Sequence, residues 1–192
     1  MNSSVQGRRK VSDQQKVRGA IAKMARSFVH AFGADQADWV LVGIQRRGVP
    51  LAKRLARTLK ESGAAEPPVG SLDITFYRDD MHELTAHPVV HDTDLPFDIS
   101  GKTIFLVDDV LYTGRTVRSA LDQLMDFGRP KRVVLAVLVD RGHRELPVAA
   151  DVTGEVLKTS PKDIVEVHLE ELDGEDAVWV TSGRKATARE VS

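Results

Sequence analysis

The stretch TIFLVDDVLYTGRT (103–116) joins a run of apolar residues to two adjacent carboxylates and then to a Thr-Gly-Arg-Thr turn. The apolar run is short and uninterrupted, which is typical of a parallel strand that is buried on both faces. WVLVGI (39–44) and RVVLAVLVD (132–140) have the same character. Segments with helical spacing separate these runs. Such alternation predicts an α/β fold with a central parallel sheet flanked by helices.

Periodicity and helix-end signals predict the other elements. Ser12 and Gln15 match a capping box, and apolar residues follow them at helical spacing, which indicates a first helix. A second helix is expected over 49–63 and a third after the Thr-Gly-Arg-Thr turn. Further strands are predicted at 71–77, 102–109, 164–172 and 177–180. We expect one domain over 1–192, with a core at 12–180, a flexible loop at 78–98 and a frayed tail at 181–192.

Composition limits the classes of function. The chain has 192 residues, 42% of them hydrophobic and 29% charged, with a formal net charge of −1 and no cysteine. Disulfides and thiolate metal sites are therefore excluded. No apolar run approaches the roughly 20 residues that span a bilayer, and no signal peptide follows the basic start, so we expect a cytoplasmic protein without membrane contact. Basic residues nevertheless crowd positions 8–26 and 46–57, which leaves a nucleic-acid-binding face open.

The acid pair and the turn after it predict a ligand with two different ends. In an open parallel sheet, ligands bind beyond the carboxyl ends of the strands, where Asp108 and Asp109 are expected. The turn from Thr113 to Thr116 leads into a helix, whose first N–H groups lack internal partners and attract phosphate. A ribose 5-phosphate fits both features, with its phosphate in the turn and its hydroxyls on the acids. A Walker B strand would require a GxxxxGK[ST] motif, which this chain lacks, whereas an acid pair that only caps the helix stays an alternative.

Residues 104–116 resemble the signature of type I phosphoribosyltransferases that binds 5-phosphoribosyl 1-pyrophosphate (PRPP). The resemblance implies that PRPP or its product is bound by Asp108, Asp109, Val110, Leu111, Tyr112, Thr113, Gly114, Arg115 and Thr116, with Asp109 and Asp108 at the reacting centre. GIQRRG (43–48) lies where these enzymes hold pyrophosphate, which implies that role for Arg46 and for a catalytic Arg47. LDITFYRDD (72–80) resembles the start of their closing loop, so Arg78 is also expected to act on pyrophosphate. Mg²⁺ is expected to enter with PRPP and to be held mostly by substrate oxygens.

LVDRGHRELP (138–147), together with YRDD, the signature and FGRP, resembles the bifunctional pyrimidine-operon regulators, which are also uracil phosphoribosyltransferases. This resemblance implies that uracil and PRPP give UMP and pyrophosphate, with the Asp140–Arg141 region reading the uracil edge. It also implies attenuation of transcription through binding to the leader RNA of a pyrimidine operon, and a homodimer or higher homo-oligomer. The corresponding RNA-binding residues are Arg18, Lys23, Arg26, His143 and Arg144. Two positions depart from the group's pattern, because Ala22 replaces a common threonine and Glu155 a common lysine.

Two other functions remain compatible with the sequence. One is a purine phosphoribosyltransferase, which a panel of bases would distinguish from the uracil enzyme. The other is a regulator that keeps the fold but has negligible catalysis. A metal site on His82, His87 and His91 is disfavoured, because their spacing fits neither one helix face nor a zinc motif.

Overall fold

The computed structural model describes residues 7–33, 37–75 and 93–183. The elements in chain order are β1 (Arg8–Ser12), α1 (Gln14–Phe32), β2 (Trp39–Ile44), α2 (Gly48–Glu61), β3 (Val69–Leu72), β4 (Thr103–Leu111), α3 (Arg115–Asp126), β5 (Arg132–Asp140), β6 (Val152–Val156), β7 (Ile164–His168), α4 (Glu170–Asp173) and β8 (Ala177–Thr181). In this part of the chain, no helix combines the length and the apolar character needed to span a membrane.

The central sheet has the order β3-β2-β4-β5-β6, and all of its strand pairs are parallel. The chain moves from β2 outward to β3 and then returns to the other side of β2 as β4. This reversal of strand order places a crevice between the carboxyl ends of β2 and β4, where open α/β sheets bind ligands. The fold therefore brings the Gln45–Arg47 turn and the Asp108–Asp109 pair to the same edge of the sheet.

Alternate residues of the strands pack on opposite faces of this sheet. One face carries α1 and α2. Their buried leucines, Met24 and Phe28 pack against the side chains that β2, β4 and β5 direct to this face. Phe105 is the centre of this layer, since its ring centroid lies 4.2 Å from that of Phe28 and 4.8 Å from that of Trp39. The other face carries α3, whose Val117 and Leu124 pack on Leu106 and its neighbours. The predicted α/β fold with flanking helices is confirmed.

A second, three-stranded antiparallel sheet, β1-β8-β7, is formed by the two ends of the described chain. Its β1 was not predicted, because RRKVS reads as a solvated charged segment. The cations of β1 are stabilised across the strands instead, and Arg8 and Lys10 both lie over the ring of Trp179, at 4.5 Å and 4.8 Å. The short edge strand β6 was also missed, because VTGEV contains a glycine and only two buried residues.

Several predicted boundaries were wrong. Asp13, not Ser12, caps α1, and its side chain accepts from the N–H of Lys16 at 3.0 Å. The strand predicted at 71–77 begins earlier and ends at Leu72, and the strand predicted at 164–172 ends at His168 before the short helix α4.

The end of the predicted flexible loop is packed. Asp94 forms two backbone hydrogen bonds with Ser71, and Leu95 and Phe97 lie against the core of the α3 face. Residues 78–92 of that loop, including Arg78, and most of the predicted tail lie outside the described residues.

Candidate active site

A cavity of about 910 Å³ opens at the carboxyl ends of β2 and β4. It brings together residues that the sequence predicted for one site although they lie more than sixty positions apart. Its described lining comprises Gln45, Arg46, Arg47, Asp73, Ile74, Thr75, Asp108, Asp109, Val110, Thr116 and Leu172.

The acid pair lines this cavity, with Asp108 buried and Asp109 partly buried. Asp108 is only 6% exposed, and its Oδ1 accepts from the N–H of Asp109 at 2.9 Å. Asp109 Oδ1 accepts from the N–H of Val110 at 3.0 Å. Burial raises the pKa of Asp108 well above its ordinary value, and the charge of Asp109 adds to this rise. Burial also raises the pKa of Asp109, while Arg47 opposes the rise. Two carboxylates held in this way favour a cation or hydroxyl donors as their ligand.

Two glycines shape the turn that carries the predicted pyrophosphate residues. A Cβ on Gly48 would collide with the carbonyl oxygen of Val107, and a Cβ on Gly43 would lie 2.5 Å from the Gly48 oxygen. Because neither glycine has a Cβ, α2 can begin directly against β4, with the turn lying over the end of the strand. Arg46 is exposed on this turn, and the Gln45–Arg46 peptide is cis. Arg47 makes a bidentate ion pair with Asp173, at 2.7 and 3.1 Å.

The turn from Thr113 to Thr116 leads into α3 as the sequence indicated. Gly114 has φ +93°, a left-handed conformation that L side chains rarely adopt. A Cβ at Gly114 would face Val148 and Leu146 at 3.3–3.4 Å, so this glycine is required by its φ and by the segment behind it.

The start of α3 is available to an anion through its backbone. Gly114 occupies the cap position, so the cap residue itself offers no side chain to the first N–H groups of the helix. Thr116 lines the cavity, and its N–H belongs to the first turn, whose donors lack intrahelical partners. The Arg115 guanidinium instead contacts Glu145, its Nε donating at 2.8 Å. The Arg115 N–H also donates to the Thr113 hydroxyl at 3.3 Å, so a phosphate at this end of the helix would compete with Thr113 for that donor.

The segment after β5 folds over Tyr112, the side chain at the centre of the signature. The Tyr112 hydroxyl donates to the carbonyl of Pro161 at 3.2 Å. Arg141 is 5% exposed and lies over the Tyr112 ring at 4.1 Å, with its guanidinium donating to the carbonyls of Ser160 and Asp163. Arg141 was predicted to help read uracil. Its Nη1 and Nη2 hold residues 160–163, whereas its buried Nε has no hydrogen-bond partner among the described residues. The predicted contact of Arg141 with uracil stays a prediction.

Arg144 was predicted to contact RNA, and this role stays a prediction; in the structure its guanidinium is hydrogen-bonded within the protein. Its guanidinium donates to the carbonyls of Leu111, Tyr112, Gly142 and Val148, and its Nη2 donates to Asp140 Oδ2 at 2.6 Å. The side chain is 21% exposed. It therefore ties the signature to the predicted uracil segment. His143 is likewise engaged within the protein, since its Nε2 lies 2.8 Å from the carbonyl oxygen of Thr159.

The other residues predicted for RNA lie on the surface of α1. Arg18, Lys23 and Arg26 are exposed, and Lys23 Nζ also donates to the carbonyl of Gly154 at 2.9 Å. A second cavity of about 560 Å³ lies beside them, between α1, α2 and α4, and Arg18, Ala22 and Arg57 contribute to its lining. Glu155 accepts from the hydroxyl of Ser12 at 2.9 Å, so it joins β6 to β1.

Several residues of this cavity or its border were not predicted, among them Asp73, Leu172 and Asp173. Asp73 is 6% exposed, and its Oδ1 accepts from the N–H of Thr75 at 2.8 Å. Leu172 lines the cavity, and Asp173 pairs with Arg47. The sequence carried a signal for Asp73, a lone acid within the alternating stretch at 71–77. It carried none for the α4 residues, because their contacts join distant parts of the chain.

Comparisons with known proteins agree with this geometry. The phosphoribosyl transferase domain family matches residues 8–172. The bifunctional protein PyrR of Pelotomaculum thermopropionicum is 51% identical over 170 residues, which cover 88% of this chain and 93% of that protein. The bifunctional protein PyrR of Thermus thermophilus is 53% identical over 170 residues, with the same coverage.

Solved structures show the same fold at low identity. A hypoxanthine-guanine phosphoribosyltransferase from Bacillus anthracis has a TM-score of 0.68 at 16% identity, covering 92% of this chain and 99% of that one. A hypoxanthine phosphoribosyl transferase from Trypanosoma cruzi has a TM-score of 0.70 at 16% identity, covering 95% and 94%. The acid pair, the glycine-shaped turn and the open start of α3 thus occur on a shared scaffold. The chain belongs to the phosphoribosyl transferase domain family and, within it, to the group of bifunctional PyrR proteins.

Proposed function

We propose that the protein transfers the 5-phosphoribosyl group of PRPP to uracil, giving UMP and pyrophosphate, and that it regulates a pyrimidine operon by binding leader RNA. One observation carries the enzymatic part. A single cavity is lined by the acid pair, by Arg46 and Arg47, and by Thr116 at the start of α3. These groups match the three parts of PRPP, which are a diol, a pyrophosphate and a 5′-phosphate.

The reaction breaks the bond from ribose C1 to pyrophosphate oxygen and forms a bond from C1 to uracil N1, whose proton would pass to the departing pyrophosphate or to water. Positive charge develops on the ribose ring before the new bond is complete. Asp109 would stabilise this charge, and Asp108 would hold a ribose hydroxyl beside it. Arg47 would stabilise the negative charge that develops on the departing pyrophosphate by donating charge-assisted hydrogen bonds to its oxygens. The first-turn N–H groups of α3 would hold the 5′-phosphate and so fix the distance from C1 to both charged groups.

Mg²⁺ fits the residues present as a companion of PRPP. Asp108 and Asp109 are hard oxygen ligands in the cavity. Residues 7–33, 37–75 and 93–183 contain no group of three or more His, Cys, Asp or Glu side chains arranged to hold a metal. The acid pair would therefore contribute a minority of the ligands, and PRPP oxygens and water the rest. When bound, Mg²⁺ supplies charge neutralisation for the pyrophosphate.

Uracil would be read by main-chain groups of the segment around Asp140 and Thr159, which Arg141, Arg144 and Tyr112 hold in place. Leader RNA would bind the exposed cations of α1, with Arg18 and Arg26 contacting phosphates. A homodimer or higher homo-oligomer would carry one copy of this basic face on each subunit. Since attenuation acts on nascent RNA, we place both activities in the cytoplasm.

The deciding experiment is a panel of uracil, hypoxanthine and guanine with PRPP and Mg²⁺, followed by detection of the nucleotide product. We expect UMP only, because the relatives at 51–53% identity are PyrR proteins. A purine nucleotide as the main product would favour the purine phosphoribosyltransferase. Absence of product with every base, together with intact binding of leader RNA, would favour a regulator that has lost catalysis.

A further inference from the structure

Arg47 is held by a residue from a distant part of the chain. Its Nε donates to Asp173 Oδ2 at 3.1 Å, and its Nη2 donates to Asp173 Oδ1 at 2.7 Å. Asp173 ends α4, in the connector from β7 to β8 that we call the acidic connector (residues 169–176). Arg47 lines the catalytic cavity, whereas the described lining does not include Asp173. The carboxylate therefore reaches Arg47 from outside the space where substrate would lie.

Asp173 is itself fixed more firmly than its partner. Its Oδ2 accepts from the N–H of Leu169 at 2.9 Å, and its own N–H donates to the Leu169 carbonyl at 2.7 Å. Its side chain is 16% exposed, against 33% for Arg47. Because the short turn of α4 determines the position of the carboxylate, the ion pair constrains the long arginine side chain more than it constrains Asp173.

The ion pair leaves part of the guanidinium free to act in the cavity. Asp173 takes one N–H from Nε and one from Nη2, so within residues 7–33, 37–75 and 93–183 both N–H groups of Nη1 remain for another acceptor. The hydrogen bonds to Asp173 raise the pKa of Arg47, burial opposes the rise, and the charge of Asp109 adds to it. Arg47 thus lies between a carboxylate that anchors it and a second one within the site.

We propose that Asp173 is a positioning residue for phosphoribosyl transfer: it holds the Arg47 guanidinium so that its Nη1 edge meets the pyrophosphate group of PRPP. This inference rests on the proposed function, and Asp173 acts only through Arg47. Without the anchor, Arg47 must lose rotamer freedom each time pyrophosphate binds. Ligands that carry pyrophosphate should depend on Asp173, and a ligand without pyrophosphate should not.

The test compares Asp173→Asn with a matched change on the same connector. Glu171→Gln also removes a bidentate partner from an arginine, since Glu171 accepts from Arg54 at 2.6 and 2.8 Å. Arg54 lines the second cavity. We expect Asp173→Asn to raise the KM for PRPP and the inhibition constant of pyrophosphate by on the order of tenfold. The dissociation constant of UMP should stay close to that of the wild type, and Glu171→Gln should leave all three constants nearly unchanged.

A double-mutant cycle with Arg47→Gln tests whether Asp173 acts through Arg47. We expect Asp173→Asn to have almost no further effect on pyrophosphate inhibition once Arg47 is replaced. An unchanged inhibition constant in Asp173→Asn alone would overturn the inference. So would an equal loss of UMP affinity, which would indicate a structural disturbance, or an undiminished effect in the Arg47→Gln background. If the wild-type protein bound neither PRPP nor pyrophosphate, the proposed function itself would fail.

Discussion

Asp109→Asn is the sharpest test of the proposed reacting centre, because it removes the charge and keeps the shape. Two unit charges about 4 Å apart interact by roughly 4 kcal/mol at an effective dielectric constant of about 20. If about half to three quarters of a unit charge develops on the ribose, the variant loses about 2–3 kcal/mol of transition-state stabilisation. Since 1.36 kcal/mol corresponds to about a tenfold change in rate, kcat should fall on the order of 10²-fold. The amide that replaces the carboxylate retains an oxygen that can accept from the N–H of Val110, so the fold should persist.

The assay is the steady-state rate of UMP formation over a range of PRPP concentrations at saturating uracil, which gives kcat and kcat/KM for PRPP. It is run on both proteins across pH. Burial raises the pKa of Asp109, so kcat/KM of the wild type should fall on the acid side at a pH above the ordinary aspartate range. This acid limb should be weaker in Asp109→Asn, and titration of PRPP affects both proteins equally. A variant with near-normal kcat and the same acid limb would refute the assignment of Asp109 to the reacting centre.

Asp108→Asn should abolish most turnover but stabilise the folded protein at pH 8. Burial gives the Asp108 carboxyl a higher pKa in the folded protein than in the unfolded one, so its stabilising contribution is complete below the unfolded-state pKa and is lost as pH rises through the folded-state pKa. An uncharged residue at this position therefore stabilises the fold most, relative to the wild type, at high pH. Thermal denaturation should show a Tm above that of the wild type at pH 8, with the difference shrinking toward pH 4; a lower Tm at pH 8 would contradict the burial argument. Arg144→Gln should reduce uracil turnover as well as Tm, because it removes donors to carbonyls of the signature; full turnover would contradict this structural role. Replacing Arg18 and Arg26 together by Gln should weaken leader-RNA binding and flatten its salt dependence while leaving UMP formation unchanged. UMP should tighten RNA binding by the wild type, and failure to discriminate leader RNA from an unrelated hairpin in a fluorescence titration would remove the regulatory role.

The sequence was most informative where the site is continuous along the chain. A strand end, an acid pair, a turn and a helix start follow one another from 103 to 116, so their order alone predicted one wall of the cavity. The turn at 45–47 could be placed beside it because parallel strands meet at their carboxyl ends. The pairing of Arg47 with Asp173 could not be predicted, since 126 positions separate the two residues. The residues around α4 also continue an alternating pattern, which favoured a strand that the structure ends at His168.

The two arginines after β5 show why residue type alone did not assign their roles. A backbone carbonyl oxygen has two lone pairs, so the carbonyls at the end of β4 and in the loop at 160–163 can accept from a side chain as well as from a backbone N–H. A guanidinium offers five donors in a fixed fork and can satisfy several such carbonyls at once. Arg144 does this for Leu111 and Tyr112. Arg141 does it for the 160–163 segment. Their charges are thus used to join the signature to the predicted base segment, which leaves the cations of α1 as the better candidates for the RNA face.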